Sequence, residues 1–381
     1  MSVLIKEIQN SPQFQLITTN DRLYEICQQA QQKTVIALDT EFVRTKSFYP
    51  KLGLIQLYDG EQVSLIDPFE LSDFSPFIQL LANQKVTKVL HACSEDLEVF
   101  QHYFQQLPTP MLDTQIMAAF LQHGNSIGLA ILLKHYFKLE IDKGISRTNW
   151  LARPLSDVQL HYAAADVWYL LPLYQRMQQK LAQTSWQSAV QNDCENLLNK
   201  YTQIKDSDNA YFSISGAWKL NSQELMRLKL LAKWRQEEAI KRNLALNFVV
   251  RAEHLILLAQ HNPKYTSQLL SIGLSPLEVR IHGKKILQLL EKANKAPAYD
   301  YPPPILRVTD DHRYRVAIKL LQATLREITP ADLPTEVLST KRMLDQLIKW
   351  HWIKQDNPHD LPDLLCGWRR EFGLLLLKAL H

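Results

Sequence analysis

The sequence predicts an α/β domain with a mixed sheet, followed by two small all-helical modules. Three observations carry this reading. The first 200 residues hold short β-branched runs separated by amphipathic stretches. Antiparallel strands first and strand–helix alternation afterwards suggest a mixed sheet covered by helices. From Asn221 onward the apolar spacing is helical throughout. The consecutive prolines Pro302, Pro303 and Pro304 cannot lie inside a helix, and they divide that helical half in two.

The elements follow in order. Phe14 to Thr19 is a short strand pattern, and Asp21 to Gln32 a helix with Asn20 or Asp21 as its cap. Thr34 to Asp39 is a β-branched apolar run, expected as a central strand. Leu52 to Tyr58 and Gln62 to Ile66 flank Asp59-Gly60, a hairpin signal. Val86 to His91 is a further strand, and Ser94 is placed to cap a helix reaching about Gln105. From Met111 to Lys200 the pattern is mostly helical. Asp206 to Ser215 is polar and reads as a linker. In the helix after Asn221, Leu225, Leu228, Leu231 and Ala232 share a face, while Arg227, Lys229, Lys233 and Arg235 crowd others. Asn294 to Pro304 reads as a semi-rigid spacer, and Arg307 to His381 as helical. The expected domains are 1–203, 212–293 and 305–381.

Composition narrows the function classes. At roughly 150 residues per domain, 381 residues make about two or three domains. A chain 46% hydrophobic with net charge +4 is not chiefly disordered. Ten glycines exclude a collagen-like fibre. Four scattered cysteines without a CxxC pair argue against a disulfide scaffold or a zinc ribbon and fit a reducing compartment. The N-terminus lacks the features of a signal peptide, and no apolar run approaches the roughly 18 residues of a membrane span. A cytoplasmic protein is expected. Charge is unevenly divided: residues 1–200 carry a net −4 and residues 201–381 a net +8. That imbalance fits either a polyanion partner or ordinary solvated surface.

Three acidic sites stand out. Asp39 and Glu41, two apart on a strand, point to the same face. Their mutual repulsion is costly without a cation, although a lone pair of this kind also fits an exposed strand end. Asp96 falls in a first helical turn, where the macrodipole alone favours a carboxylate. Tyr162 and Asp166, four apart, share a helix face, and the alanines between them allow a close approach. Taken together, several hard oxygen ligands from separate segments are what Mg²⁺ or Mn²⁺ requires. Two such ions about 4 Å apart can activate a water and stabilise the leaving oxygen of a phosphodiester. GxxxxGK[ST], GxGxxG and HExxH motifs are absent, so P-loop, dinucleotide-binding and zincin readings lose their support.

The order Asp39-x-Glu41, Asp96, Tyr162-x-x-x-Asp166 resembles the three motifs of the DEDD superfamily of 3′→5′ exonucleases, tyrosine subclass. The stretches Ala37–Arg44, Leu52–Leu57, His91–Glu98, Trp150–Leu155 and Tyr162–Leu171 resemble the bacterial ribonuclease D family. Leu228 to Val250 is similar to a helicase-and-ribonuclease-D C-terminal (HRDC) domain, and Leu364–Arg370 to the end of that family's second such domain. The resemblance covers nearly the whole chain. It implies a ribonuclease-H-like catalytic sheet and a 3′→5′ exoribonuclease that releases nucleoside 5′-monophosphates from tRNA precursors and other structured RNA 3′ ends. It implies two divalent ions, Mg²⁺ or Mn²⁺, on Asp39, Glu41 and Asp166, with Asp96 completing the set partly through water. It implies that Tyr162 positions the attacking water. One departure is visible: Ala245 stands about where the family's first helical module usually has a proline.

Other residues admit two readings. Phe42 could stack on a terminal base or pack in the core, and Arg44 and Lys46 could meet phosphates. Arg147, Trp150 and Arg153 could cover bound RNA or simply anchor a loop. Lys229, Lys233, Arg235, Lys241 and Arg242 could track phosphates or line a solvated helix face. Gln56 reads as a buried structural amide, and His91 as a hydrogen-bonded strand-end residue. The expected partner is RNA, with no membrane and with the chain acting as a monomer. The rivals are a DNA 3′→5′ exonuclease and a catalytically silent nucleic-acid-binding scaffold.

Overall fold

The computed structural model describes residues 12–141, 148–202 and 206–380. The chain gathers into two compact units. One comprises Met1–Val43, Pro50–Gln203 and Arg315–His381, the other Arg44–Tyr49 and Ile204–Tyr314.

The first unit is built on six strands: β1 (Phe14–Ile17), β2 (Val35–Val43), β3 (Lys51–Tyr58), β4 (Val63–Ile66), β5 (Thr87–Leu90) and β6 (Met111–Asp113). Their spatial order is β1-β4-β3-β2-β5-β6. β2, β3 and β4 form an antiparallel meander, while β1, β5 and β6 join in parallel. β2 is therefore central and runs four residues beyond the expected Asp39, carrying Glu41 into the sheet. A bulge lies beside Glu41: Glu41 faces Leu54 and Phe42 faces Leu52, leaving Gly53 unmatched. A Cβ on Gly53 would stand 2.6 Å from the Trp150 carbonyl oxygen and 2.8 Å from its Cβ, so only glycine fits against that stretch of backbone.

Helix α1 is Asn20–Ala30, α2 Ser75–Ala82, α3 Ser94–Phe104, α4 Thr114–Phe120, α5 Leu129–Phe137, α6 Asp157–Leu181 and α7 Gln187–Thr202. The long α6 starts on a Ser156/Gln159 capping box. Its Ala163, Ala164, Val167, Leu170 and Leu171 pack on Ala37, Leu54, Tyr58 and Leu65 of the sheet. Two expected caps are corrected. Thr19, not Asn20 or Asp21, caps α1 by accepting from Arg22 N–H. Ser94 makes no capping bond, since it is already the first residue of α3. The chain entering α3 is held instead by Asp113, which accepts from Ala92 N–H at 3.0 Å and Cys93 N–H at 3.0 Å.

The last helices of the chain, α13 (Tyr314–Ile328), α14 (Thr335–Leu338), α15 (Lys341–Trp352) and α16 (Arg370–Lys378), belong largely to this first unit. Arg369 grips Asp193 of α7 with two bonds of 2.5 and 2.8 Å, and the Trp368 indole donates to the same carboxylate at 2.9 Å. Trp186 donates to Asp332 at 2.9 Å. Gly367 adopts φ +53°, the left-handed conformation that favours glycine, with the Asn192 side chain lying against it. Both charges of the Arg369–Asp193 pair are largely out of water, so removing one strands the other. Arg369→Ala is expected to lower the stability of this unit by about 3 kcal/mol in urea unfolding; an unchanged midpoint would contradict it.

The second unit centres on α8 (Ser222–Arg242), α9 (Leu246–Val249), α10 (Ala252–His261), α11 (Thr266–Ile272) and α12 (Pro276–Lys295). Leu225, Leu228, Leu231 and Ala232 enter its core as their spacing predicts. The expected linker is not loose: Ser207–Ser213 forms a 3₁₀ helix whose Tyr211 is buried in that core. Arg235 is also buried, bonded to Leu246 O and Asn247 Oδ1, which removes it from any phosphate-tracking stripe. Segment Arg44–Tyr49 is held here too. Asn243 Oδ1 accepts from Tyr49 N–H at 2.9 Å, and Lys46 O from Ala245 N–H at 2.8 Å. A proline at 245 has no N–H to make the second bond, which is what the Ala245 departure provides. Among the described residues, no helix is long and apolar enough to cross a membrane.

Candidate active site

Asp39 and Glu41 sit mid-strand on β2 and face α6, which contributes Tyr162 and Asp166. One carboxylate oxygen from each of Asp39, Glu41 and Asp166 lies within 4.8 Å of the others. Glu41 is only 8% exposed, so the exposed strand-end alternative does not hold. Asp96, in the first turn of α3, is 7% exposed and accepts a hydrogen bond from the Thr40 hydroxyl. Thr40 points to the opposite face of β2 from Asp39 and Glu41. Asp96 thus stands outside the three-carboxylate cluster yet within electrostatic reach of it.

Like charges packed together out of water resist ionisation. Burial, then the charges of Asp96, Asp166 and Glu41, push the Asp39 carboxyl well above its usual range. Burial and the neighbouring Asp166 and Asp96 raise Glu41 to about 9. Burial raises Asp96 and Asp166 to about 7, against the opposing hydrogen bonds from Thr40 and Tyr162 respectively. The Tyr162 phenol is driven upward by burial and by Asp166, Glu41 and Asp39, so it stays protonated and can donate. These carboxylates are costly as they stand and chemically suited to hard divalent cations. The donor set therefore fits a metal centre.

The other candidate residues fare differently. Phe42 is half-buried beside the bulge, and Arg44 and Lys46 are exposed, with the Arg44 guanidinium donating to Phe48 O at 2.8 Å. Arg147 lies outside the described residues. Arg153 is corrected as a substrate contact. Its Nε and Nη2 hold Asp67 at 2.6 and 2.8 Å, and Nη2 also donates to Gly53 O. Nη1 donates to Trp150 O and Ala152 O. The whole donor fork is spent on the protein, with Phe69 stacked 4.5 Å below it. Arg153 thereby fixes the loop that places Trp150 against Tyr162, their ring centres 6.2 Å apart. Thr40 and Asp113, which orient Asp96 and the turn before it, were not singled out by motif. The alternation of β2 would have flagged only that Thr40 faces away from the acidic pair.

Comparison with known proteins agrees with this geometry. The 3′-5′ exonuclease family matches residues 14–182, the HRDC domain 224–290, and the ribonuclease D C-terminal HRDC domain 313–375. Fold and site thus define a 3′→5′ exonuclease with a DEDD-type acidic cluster and appended HRDC domains. Ribonuclease D of Haemophilus influenzae is 54% identical over 379 residues, covering 99% of this chain and 95% of that protein. Ribonuclease D of Escherichia coli K12 is 43% identical, covering 97% of each. The crystal structure of Escherichia coli RNase D, described as an exoribonuclease involved in structured RNA processing, superposes with a TM-score of 0.93 at 42% identity, over 97% of this chain and 98% of that one. The chain belongs to the ribonuclease D family.

Proposed function

We propose that this 3′→5′ exoribonuclease trims the 3′ ends of structured RNA, tRNA precursors among them, with two divalent cations, Mg²⁺ or Mn²⁺. Asp39, Glu41 and Asp166 would hold the cations, and Asp96 would complete the set partly through water. The observation that carries this is the convergence of three half-buried to buried carboxylates within 4.8 Å. Bound there, the cations would activate a water and stabilise the leaving 3′ oxygen. The protein's own residues do the rest. Thr40 orients Asp96 by its hydroxyl. Tyr162, protonated and hydrogen-bonded to Asp166, would turn its single O–H to the attacking water and set its line of approach. Phe42 would stack on the terminal base, and Arg44 and Lys46 would meet phosphates. We further propose that the enzyme is cytoplasmic and monomeric, with domains at 1–203, 212–293 and 305–381.

Tyr162→Phe is expected to lower the trimming rate about 10²-fold while Mn²⁺ binding stays as in wild type. Wild-type rates would remove Tyr162 from the mechanism. The substrate class is tested by competition between RNA and DNA of matched sequence. Preferential shortening of RNA supports the proposal; equal or preferential shortening of DNA overturns it, since the carboxylates do not themselves read a 2′-hydroxyl.

A further inference from the structure

Gln56 is a polar residue the mechanism above does not use, and it sits against the acidic cluster. It lies on β3 directly opposite Asp39 in the antiparallel register. Directly paired residues project to the same face with Cβ atoms about 5 Å apart. That face also carries Leu54 and Tyr58, which pack under Ala163, Ala164 and Val167 of α6. The Gln56 side chain therefore lies between β3 and the helix that bears Tyr162 and Asp166, with Asp39 as its lateral neighbour. Gln56 is 0% exposed, yet neither its Oε1 nor its Nε2 has a hydrogen-bond partner in the protein.

A buried amide left without partners is costly, and an apolar residue of the same length would avoid that cost. The neighbours along β3 are apolar, so packing alone gives no reason for an amide. Asp39 supplies one. A carboxylate has about four acceptor positions. The Thr40 backbone N–H meets one position on Asp39, and a cation ligated there would take another. The remaining positions are out of water and need a donor.

We propose that Gln56 is a positioning residue for the metal centre: its Nε2–H donates to the Asp39 carboxylate and holds that group in its ligating orientation when a cation is bound. Groups that orient a ligand in this way are commonly worth 10- to 100-fold in metal affinity. The inference rests on Asp39 being a cation ligand, as proposed above.

The test is Mn²⁺ binding by titration calorimetry, with melting of the metal-free protein alongside, for wild type, Gln56→Met, Gln56→Leu and Gln178→Met. Gln178 is the control, a glutamine on α6 whose Oε1 is likewise buried without a partner. Both Gln56 variants are expected to bind Mn²⁺ about tenfold or more weakly, with metal-free melting no lower than wild type, and Gln178→Met to bind as wild type does. Wild-type Mn²⁺ affinity in both Gln56 variants would overturn the positioning role, including when the KM for RNA rises, which would make Gln56 a substrate contact. A wild-type protein that binds no Mn²⁺ would overturn the cation reading itself and this inference with it.

Discussion

Asp39→Asn is expected to cut the 3′-trimming rate by about 10³-fold or more while raising the melting temperature of the metal-free protein. The two effects have one origin. Asp39 is the most hemmed-in carboxyl of the cluster, facing Asp96, Asp166 and Glu41 across a buried site. Its charge is useful only against a cation, where losing several kcal/mol of transition-state stabilisation amounts to about three powers of ten. Without the cation the same charge opposes folding, and a neutral amide of equal size relieves that. Melting scans in chelator, run beside a trimming assay, check both halves. An inactive variant that also melts lower would mean that Asp39 serves the fold rather than the cation.

The second large effect is a pH dependence with a defined sign. The site carboxyls titrate above their ordinary range in the folded protein: Glu41 at about 9, Asp96 and Asp166 at about 7, and Asp39 well above its usual value. The folded state therefore holds protons that the unfolded chain has already released. Stability contributed by these groups is fully present below the unfolded values near 4 and is lost as pH rises through the folded ones. Metal-free protein is expected to melt progressively lower from about pH 5 to pH 9. Cation binding must displace those protons, so apparent Mn²⁺ affinity should rise about tenfold per pH unit for each proton displaced, hence more than tenfold between pH 6 and 7. The stabilisation given by a fixed Mn²⁺ concentration should grow in step. Melting curves with and without Mn²⁺ across that range measure it. A pH-independent Mn²⁺ effect would contradict the assignment of the raised carboxyls to the metal centre.

The acidic site was legible in sequence because its chemistry is local. Two carboxylates two apart on a strand and a Tyr/Asp pair four apart on a helix fix their faces without knowledge of the fold. The central place of β2 was legible from its β-branched run, but its full length was not, since Glu41 and Phe42 follow a polar pair and cross a bulge set by Gly53 on the neighbouring strand. Long-range partners were out of reach. Arg153 reads as a basic residue in a loop and proves to be bound to Asp67, 86 residues away. Arg235 reads as part of a charged helix face and is buried against Leu246 and Asn247. Asp113 falls in a stretch whose pattern reads as mostly helical, and it holds the turn that leads to Asp96. Nothing local in Asp193 or Arg369 announces that the two are joined across 176 residues.

The most direct test of the central claim is the product pattern from a 3′-extended tRNA labelled at its 5′ end and incubated with wild type or Asp166→Asn. A 5′-labelled ladder that shortens one nucleotide at a time, with nucleoside 5′-monophosphates released, is predicted with Mg²⁺ or Mn²⁺. Chelator and Asp166→Asn should each abolish it. Internal cleavage products, or shortening that persists in chelator or in Asp166→Asn, would contradict a cation-dependent exonuclease centred on these carboxylates.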